Sequence, residues 1–193
     1  MKLLPVKEAI STAKTYIIPA YKDFPNSSLH NLPLIIYRPF AVGNGSGTLD
    51  PAEVERLLEG NDLTPAWRYG MYPFNHYHSN THEILVPYKG SAKLAFGHDS
   101  SPDCIHHTAV PGDVYILPAG IAHRSLEQSN DFQMVGSYPA GSHDWDNCKG
   151  SHNEEEKKKL WNSVSQLGRK ENWLKMDPIY GDTGESPLRS FWK

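Results

Sequence analysis

Cysteine is scarce in this 193-residue chain: Cys104 and Cys148 are the only two, and neither sits in a C-x-x-C pair. That excludes a disulfide framework, and reduced thiols in a cytosolic protein are the expectation. No apolar run approaches the roughly 18 residues that would argue for a membrane-spanning helix. The opening Met-Lys-Leu-Leu-Pro-Val-Lys-Glu lacks the roughly 7–15-residue apolar core of a secretory signal, so a cytoplasmic location is expected. Charge of one sign is also missing. Lys and Arg number 19 against 22 Asp and Glu, a net charge of −3 with neutral histidines. No basic patch points to nucleic acid. The Lys157–Lys159 run directly follows Glu154–Glu156, which reads as a solvated helix face.

What is present is turn chemistry and aromatics: 15 Pro, 15 Gly, five Trp and ten Tyr among short apolar runs. This favours a β-rich fold, and 193 residues suit a single domain with extensions. Strands are expected at 13–19, 33–39, 69–78, 82–88, 91–97, 106–110, 113–118, 123–127 and 131–138, separated by Gly, Pro, Asn and Asp clusters. That rhythm is the one of an antiparallel double-sheet jelly roll. A helix is expected after Asp50, with Pro51 at its first position, Glu53 completing a capping box and Gly60 at the exit. Ahead of it, Gly43-Asn-Gly-Ser-Gly47 lacks the Lys-Ser/Thr of a phosphate-binding loop and reads as a surface loop. Asn153 can cap a second helix, whose Leu160, Trp161, Val164 and Leu167 share one side. The last segment, 177–193, is Pro/Gly-rich and is expected to run irregularly over the surface. No internal repeat is visible.

The chemistry concentrates in Gly70-Met-Tyr-Pro-Phe-Asn-His76-Tyr-His78-Ser-Asn-Thr-His-Glu83, closing at Gly90. In an extended chain, residues i and i+2 face the same side, so His76 and His78 can aim both rings at one point. A turn after His78 can return Glu83 to the same place. A second segment, Gly112-Asp-Val-Tyr-Ile-Leu-Pro118-Ala-Gly120-Ile-Ala-His123, adds a histidine just beyond a Pro/Gly turn. A His-x-His pair alone is weak. Here nine specified positions occur together, each of which matches by accident roughly one time in 20.

At these residues the chain resembles the cupin superfamily. Its first motif, G-x5-H-x-H-x3-4-E-x6-G, is met throughout residues 70–90. The second, G-x5-P-x-G-x2-H-x3-N, is met over 112–123, with Glu127 where the family usually has Asn. Trp67-Arg-Tyr-Gly, His-Tyr-His-Ser-Asn-Thr-His-Glu and Asp177-Pro-Ile-Tyr-Gly further resemble a group of small single-domain cupins of the YjlB type. The resemblance implies an all-β, double-stranded β-helix (a jelly-roll barrel) with a few flanking α-helices, one cupin domain over 1–193 whose core barrel spans about 30–140, with the N-terminal strands and the C-terminal helix and tail packed on it. It implies metal ligation by His76, His78, Glu83 and His123, and leaves the reaction open.

Three imidazole nitrogens and one carboxylate suit a single divalent transition metal; Fe, Mn, Zn, Ni, Co and Cu all accept such a set. Two positions of an octahedral ion would stay open for water, O2 or a chelating small-molecule substrate. By strand parity Tyr72 and Phe74 share a face with the histidines and belong either to the cavity or to plain core. Leu85 and Pro87 share the face of Glu83 and suggest an apolar wall. Gln133 and Tyr138 could offer hydrogen bonds. Arg68, and with less weight Arg124, could anchor a carboxylate or enolate. His82 should point away from Glu83, behind the ligands or at the surface. His106 and His107 read as edge residues; His30, His98, His143 and His152 have no constellation around them.

Three functions follow: a dioxygenase-type oxidoreductase acting on a small enolisable, phenolic or carboxylate compound; a Lewis-acid isomerase or decarboxylase; or a non-catalytic metal and small-molecule binder. A homodimer is expected, because open sheet edges need cover.

Overall fold

The computed structural model describes residues 1–42, 47–142 and 144–193. Gly43, Asn44, Gly45 and Ser46 of the glycine loop, and His143, lie outside the described residues. In chain order the elements are α1 (Val6–Thr12), β1 (Lys14–Tyr16), β2 (Leu34–Tyr37), α2 (Pro51–Glu59), β3 (Leu63–Tyr69), β4 (Glu83–Lys89), β5 (Ala92–Phe96), β6 (Ile105–Ala109), β7 (Val114–Leu117), β8 (His123–Gln128), β9 (Gln133–Pro139), α3 (Glu154–Leu167) and α4 (Pro187–Phe191), with a 3-10 turn at Lys170–Asn172.

Every described ladder is antiparallel. Six strands make one sheet in the order β1-β2-β7-β4-β9-β3, and three make a second in the order β6-β5-β8. The two sheets face each other over Leu34, Leu85, Tyr115 and Met134 from one side and Leu94 and Phe96 from the other. This is the jelly-roll sandwich that the strand spacing predicts.

The larger sheet is buried on its other face as well. Ile35, Ile84, Val86, Ile116 and Val135 point outward there and are covered by Ala9 of α1, Val54 and Leu58 of α2, and Leu188 and Trp192 of the tail. Burial on both faces explains why β2, β4 and β7 read as unbroken apolar runs rather than as alternating ones.

The tail departs from the expectation of an irregular surface run. Asp177 is fully buried and its carboxylate is satisfied by four donors. Oδ1 accepts the Tyr37 hydroxyl (2.9 Å) and the N–H groups of Ile179 (2.9 Å) and Tyr180 (3.1 Å), and Oδ2 accepts Leu188 N–H (3.1 Å). A buried carboxylate is tolerated when its lone pairs are used in this way. Thus Asp177 knots the tail onto the sheet, where proline and glycine had suggested a loose strap.

Two local expectations also change. Asp50 caps α2 through Ala52 N–H (3.0 Å), but Glu53 does not close a box; it pairs with the N-terminal ammonium at 2.8 Å. The complete box forms instead on α3, where Asn153 Oδ1 accepts from Glu155 and Glu156 N–H and Glu156 Oε2 accepts Asn153 N–H. The expected strand at 69–78 is really β3 ending at Tyr69, followed by an extended segment that makes only isolated bridges. Pro65 and the exposed alternate residues of β3 hid it, since proline sits in strands chiefly at edges and β3 is the sheet edge.

Candidate metal centre

The extended segment 70–82 carries its histidines between two neighbours. On one side His76 exchanges both backbone hydrogen bonds with His123, His76 N–H to His123 O at 3.2 Å and the reverse at 2.9 Å. Directly opposed residues of an antiparallel pair present their side chains to the same face, so the two rings meet with centroids 4.1 Å apart. On the other side Tyr77 exchanges both bonds with Cys148, at 3.0 and 2.9 Å, which straps residues 144–148 along the segment. His78 follows two residues after His76, and Glu83 opens β4 opposite Leu117.

The turn that delivers His123 needs its glycine. Gly120 has φ +90°, and a Cβ there would lie 2.8 Å from Val164 Cγ1 of α3. The residue before it, Ala119, is held by two imidazoles. Ala119 N–H donates to His82 Nδ1 (3.0 Å), while His30 Nε2 donates to Ala119 O (2.8 Å) and His30 Nδ1 accepts Leu32 N–H (2.9 Å).

Each of the three clustered histidines has its Nδ1 turned to a backbone carbonyl: His76 to Phe74 O (3.2 Å), His123 to Ile121 O (2.9 Å) and His78 to Asp146 O. A carbonyl only accepts, so Nδ1 carries the proton and Nε2 presents a lone pair. The ligand atoms lie within 4.8 Å of one another, and all three residues are buried. Glu83, also buried, brings Oε1 to 3.3 Å from His78 Nε2 and Oε2 to 3.2 Å from His123 Nε2. Yet His78 Nε2 and Glu83 Oε2 make no hydrogen bond. Buried acceptors converging on one point without a donor are costly, and a cation resolves the conflict. The residues therefore fit a metal ion.

The electrostatics agree for His76 and Glu83, whereas His78 is drawn towards holding a proton against the Glu83 charge. Burial, then the neighbouring His123, pushes His76 down to about 3, so its ring is neutral. Burial would raise the Glu83 carboxyl, but His78 and His123 outweigh it and hold it well below the usual carboxylate range. Burial would lower His78, and the adjacent Glu83 charge reverses that and raises it. Behind the carboxylate, Trp67 N–H donates to the Tyr138 hydroxyl (3.0 Å), which donates to Glu83 Oε1 (3.0 Å).

The site opens into a cavity of about 310 Å³, walled by aromatic residues of β3, the segment after it and the 144–148 strap.

No family model matches the chain. The uncharacterized protein YjlB of Bacillus subtilis is 30% identical over 182 residues, covering 93% of this chain and 96% of that protein. The chain belongs to the YjlB family of cupins. Solved structures similar to this YjlB-family chain include a DUF861 family protein from Thermotoga maritima (17% identity, TM-score 0.30, 46% of this chain and 91% of that one). Another is the dTDP-6-deoxy-D-glucose-3,5-epimerase RmlC of Legionella pneumophila (15% identity, TM-score 0.36, 68% and 73%). The fold assignment rests on the strand order and not on these distant likenesses.

Of the further candidates named from the sequence, the YjlB-family fold brings Tyr72 and Tyr138 to the cavity wall. Phe74 stands beside it: its ring stacks on Tyr72 at 4.9 Å and lies 4.3 Å from the Lys149 ammonium. Leu85 is a correction. It shares the inward face of Glu83 but sits one step deeper, fully buried among the residues between the sheets. Gln133 is exposed on the outer face, where its side-chain oxygen accepts from the Tyr88 hydroxyl. Arg68 also points outward and forks onto Glu55, with both contacts at 2.6 Å. Arg124 is paired with Asp99 at 2.5 Å. These arginines are spoken for, so neither is a free anchor. His82 does point away from Glu83, edge-on to Trp192 at 5.0 Å.

Sequence reasoning missed Trp67, Trp145, Asp146 and Gly136. A Cβ on Gly136 would lie 2.1 Å from the Trp67 indole, so β9 leaves the room in which that ring lies. Nothing local marks these residues; their roles follow from which strands become neighbours.

Proposed function

We propose that this protein is a metal-dependent oxidoreductase, a dioxygenase acting on a small enolisable, phenolic or carboxylate compound. His76, His78, Glu83 and His123 would hold one divalent transition metal. When bound, the metal supplies a Lewis acid and an electron carrier at the closed end of the cavity. O2 is the oxidant, both its atoms enter the substrate, and the substrate's own bonds supply the electrons, so no separate reductant is required.

The observation that carries this reading is the set of three buried Nε2 lone pairs and the Glu83 carboxylate, facing one point at the end of an aromatic cavity. The carbonyls at Phe74, Asp146 and Ile121 fix the ring tautomers. Tyr138 orients the carboxylate through Oε1. The aromatic walls exclude water from the reacting groups.

The isomerase or decarboxylase reading needs a side chain that carries a proton to and from the substrate. Among the described residues lining the cavity, the side chains able to do so besides the four proposed ligands are Tyr69, Tyr72 and Tyr138, with no further carboxylate or imidazole, and Tyr138 is already engaged by Glu83 and Trp67. That favours the oxidative reading. The test is oxygen consumption by iron-loaded protein across a panel of enols, catechols and keto acids. Turnover that proceeds equally without oxygen would put the non-redox reading in its place. Zinc in the protein from its own host, with no turnover, would favour the non-catalytic binder.

A further inference from the structure

We infer that the cavity selects a flat aromatic ligand, a phenol or ortho-dihydroxy ring without a charged tail. This narrows the substrate class of the proposed oxidoreductase and rests on that reading for the metal end of the site.

The walls are the first observation. Trp67, Tyr69, Met71, Tyr72, Tyr138 and Trp145 surround the opening to the ligand cluster. Trp145 stacks on Tyr138 with centroids 4.7 Å apart and planes at 13°, and Tyr72 lies edge-on to His76 at 5.3 Å. Large apolar rings normally seek burial, yet Tyr69, Tyr72 and Trp145 stay 62%, 42% and 37% exposed around this mouth. Such exposed aromatic surface, rimming a concave site, marks a place where a ligand covers it.

The polar inventory is the second. A carboxylate or phosphate tail needs a cation or a set of free donors. Arg68, the one cationic residue among the described lining residues, turns its guanidinium out to Glu55. The Tyr138 hydroxyl already donates to Glu83 and accepts from Trp67. Asn147 is neutral. No free cation is thus left among the described lining residues, and the remaining donors, the Tyr69 and Tyr72 hydroxyls and the Asn147 amide, are neutral. This favours a ligand whose charged or chelating atoms sit at the end that meets the four buried residues and whose body is apolar.

Size is the third. About 310 Å³ falls at the lower end of small-molecule sites, enough for one or two fused rings.

Calorimetry on the full chain tests the inference. The probes are 2,3-dihydroxynaphthalene and oxalate on zinc-loaded protein, and 2-naphthol, which cannot chelate, on metal-free protein. The diol is expected to bind about tenfold or more tightly than oxalate. Trp145→Ala should weaken the diol about tenfold and leave oxalate roughly unchanged, because only the ring uses the indole face. Tyr72→Ala, a second and independent wall variant, should weaken the diol in the same direction. Oxalate binding as tightly as the diol, or a diol indifferent to both substitutions, would overturn the inference. The two readings fail separately. Zinc uptake without ring preference removes this one alone. No zinc uptake, with 2-naphthol still bound in a Trp145-dependent way, removes the metal reading and leaves the aromatic site.

Discussion

Tyr138 donates its hydroxyl proton to Glu83 Oε1 across 3.0 Å, and the Tyr138 hydroxyl oxygen in turn accepts the Trp67 indole N–H at 3.0 Å. The carboxylate is thereby held at a fixed angle by a side chain from β9, two strand positions beyond Gly136. Groups that orient a ligand in this way typically change metal affinity by about 10–100-fold when removed. Tyr138→Phe keeps the ring and deletes the donor. Its affinity for zinc or iron, read by competition with a chelator, should fall by about that factor while the fold is kept. An unchanged affinity would mean that Glu83 is not a ligand or that Tyr138 does not position it.

The proposed ligands themselves predict a larger effect. His78→Ala and His123→Ala each remove one of three clustered imidazoles. Both should lose most of their bound metal after purification and dialysis, measured by elemental analysis. Full occupancy in both variants would contradict the assignment.

His82 makes acid stability testable. Burial, then the neighbouring His30, lowers its imidazole to about 4, and its Nδ1 must keep a lone pair to accept Ala119 N–H. In the unfolded chain the ring protonates near the ordinary value of about 6.5. Between those values the unfolded state binds more protons, so this contribution is present above about pH 6.5 and is lost as pH falls towards 4. A shift of this size corresponds to about 3 kcal/mol. His82→Asn supplies an acceptor that does not titrate. The variant should lose some packing against Trp192 at pH 7 but show a flatter decline in urea midpoint from pH 6.5 to 4. An identical pH slope would show that His82 is not the titrating group.

Gly120→Ala should be destabilising by about 2 kcal/mol, since the site has φ +90° and the new Cβ would meet Val164 at 2.8 Å. Denaturant unfolding measures the loss. Because the same turn places His123, metal affinity should fall with it, whereas Gly184→Ala, where a Cβ meets nothing within 4 Å, should change neither.

His76, His78, Glu83 and His123 were legible in the chain because their geometry is local. Strand parity and a Pro/Gly turn bring ligand atoms together within each motif, and two motifs spaced by a few short strands imply the barrel that joins them. The glycines were legible for the same reason, as turns are written in a few neighbouring residues. Arg68, Leu85 and Gln133 show where that reading stops. Parity says which residues share a face, but not which face the cavity opens on, how deep a residue lies, or whether Glu55 or Tyr88 already holds its polar atoms. The His30–Ala119–His82 clamp, the Trp67–Tyr138–Glu83 chain and the Asp146 carbonyl behind His78 join residues 37 to 89 positions apart. Only the packing of the sheets, α3 and the buried tail brings them together. The sequence by itself determined which chemical groups gather; tertiary structure decided their tautomers, their supports and the aromatic wall, because those depend on contacts that no local pattern encodes.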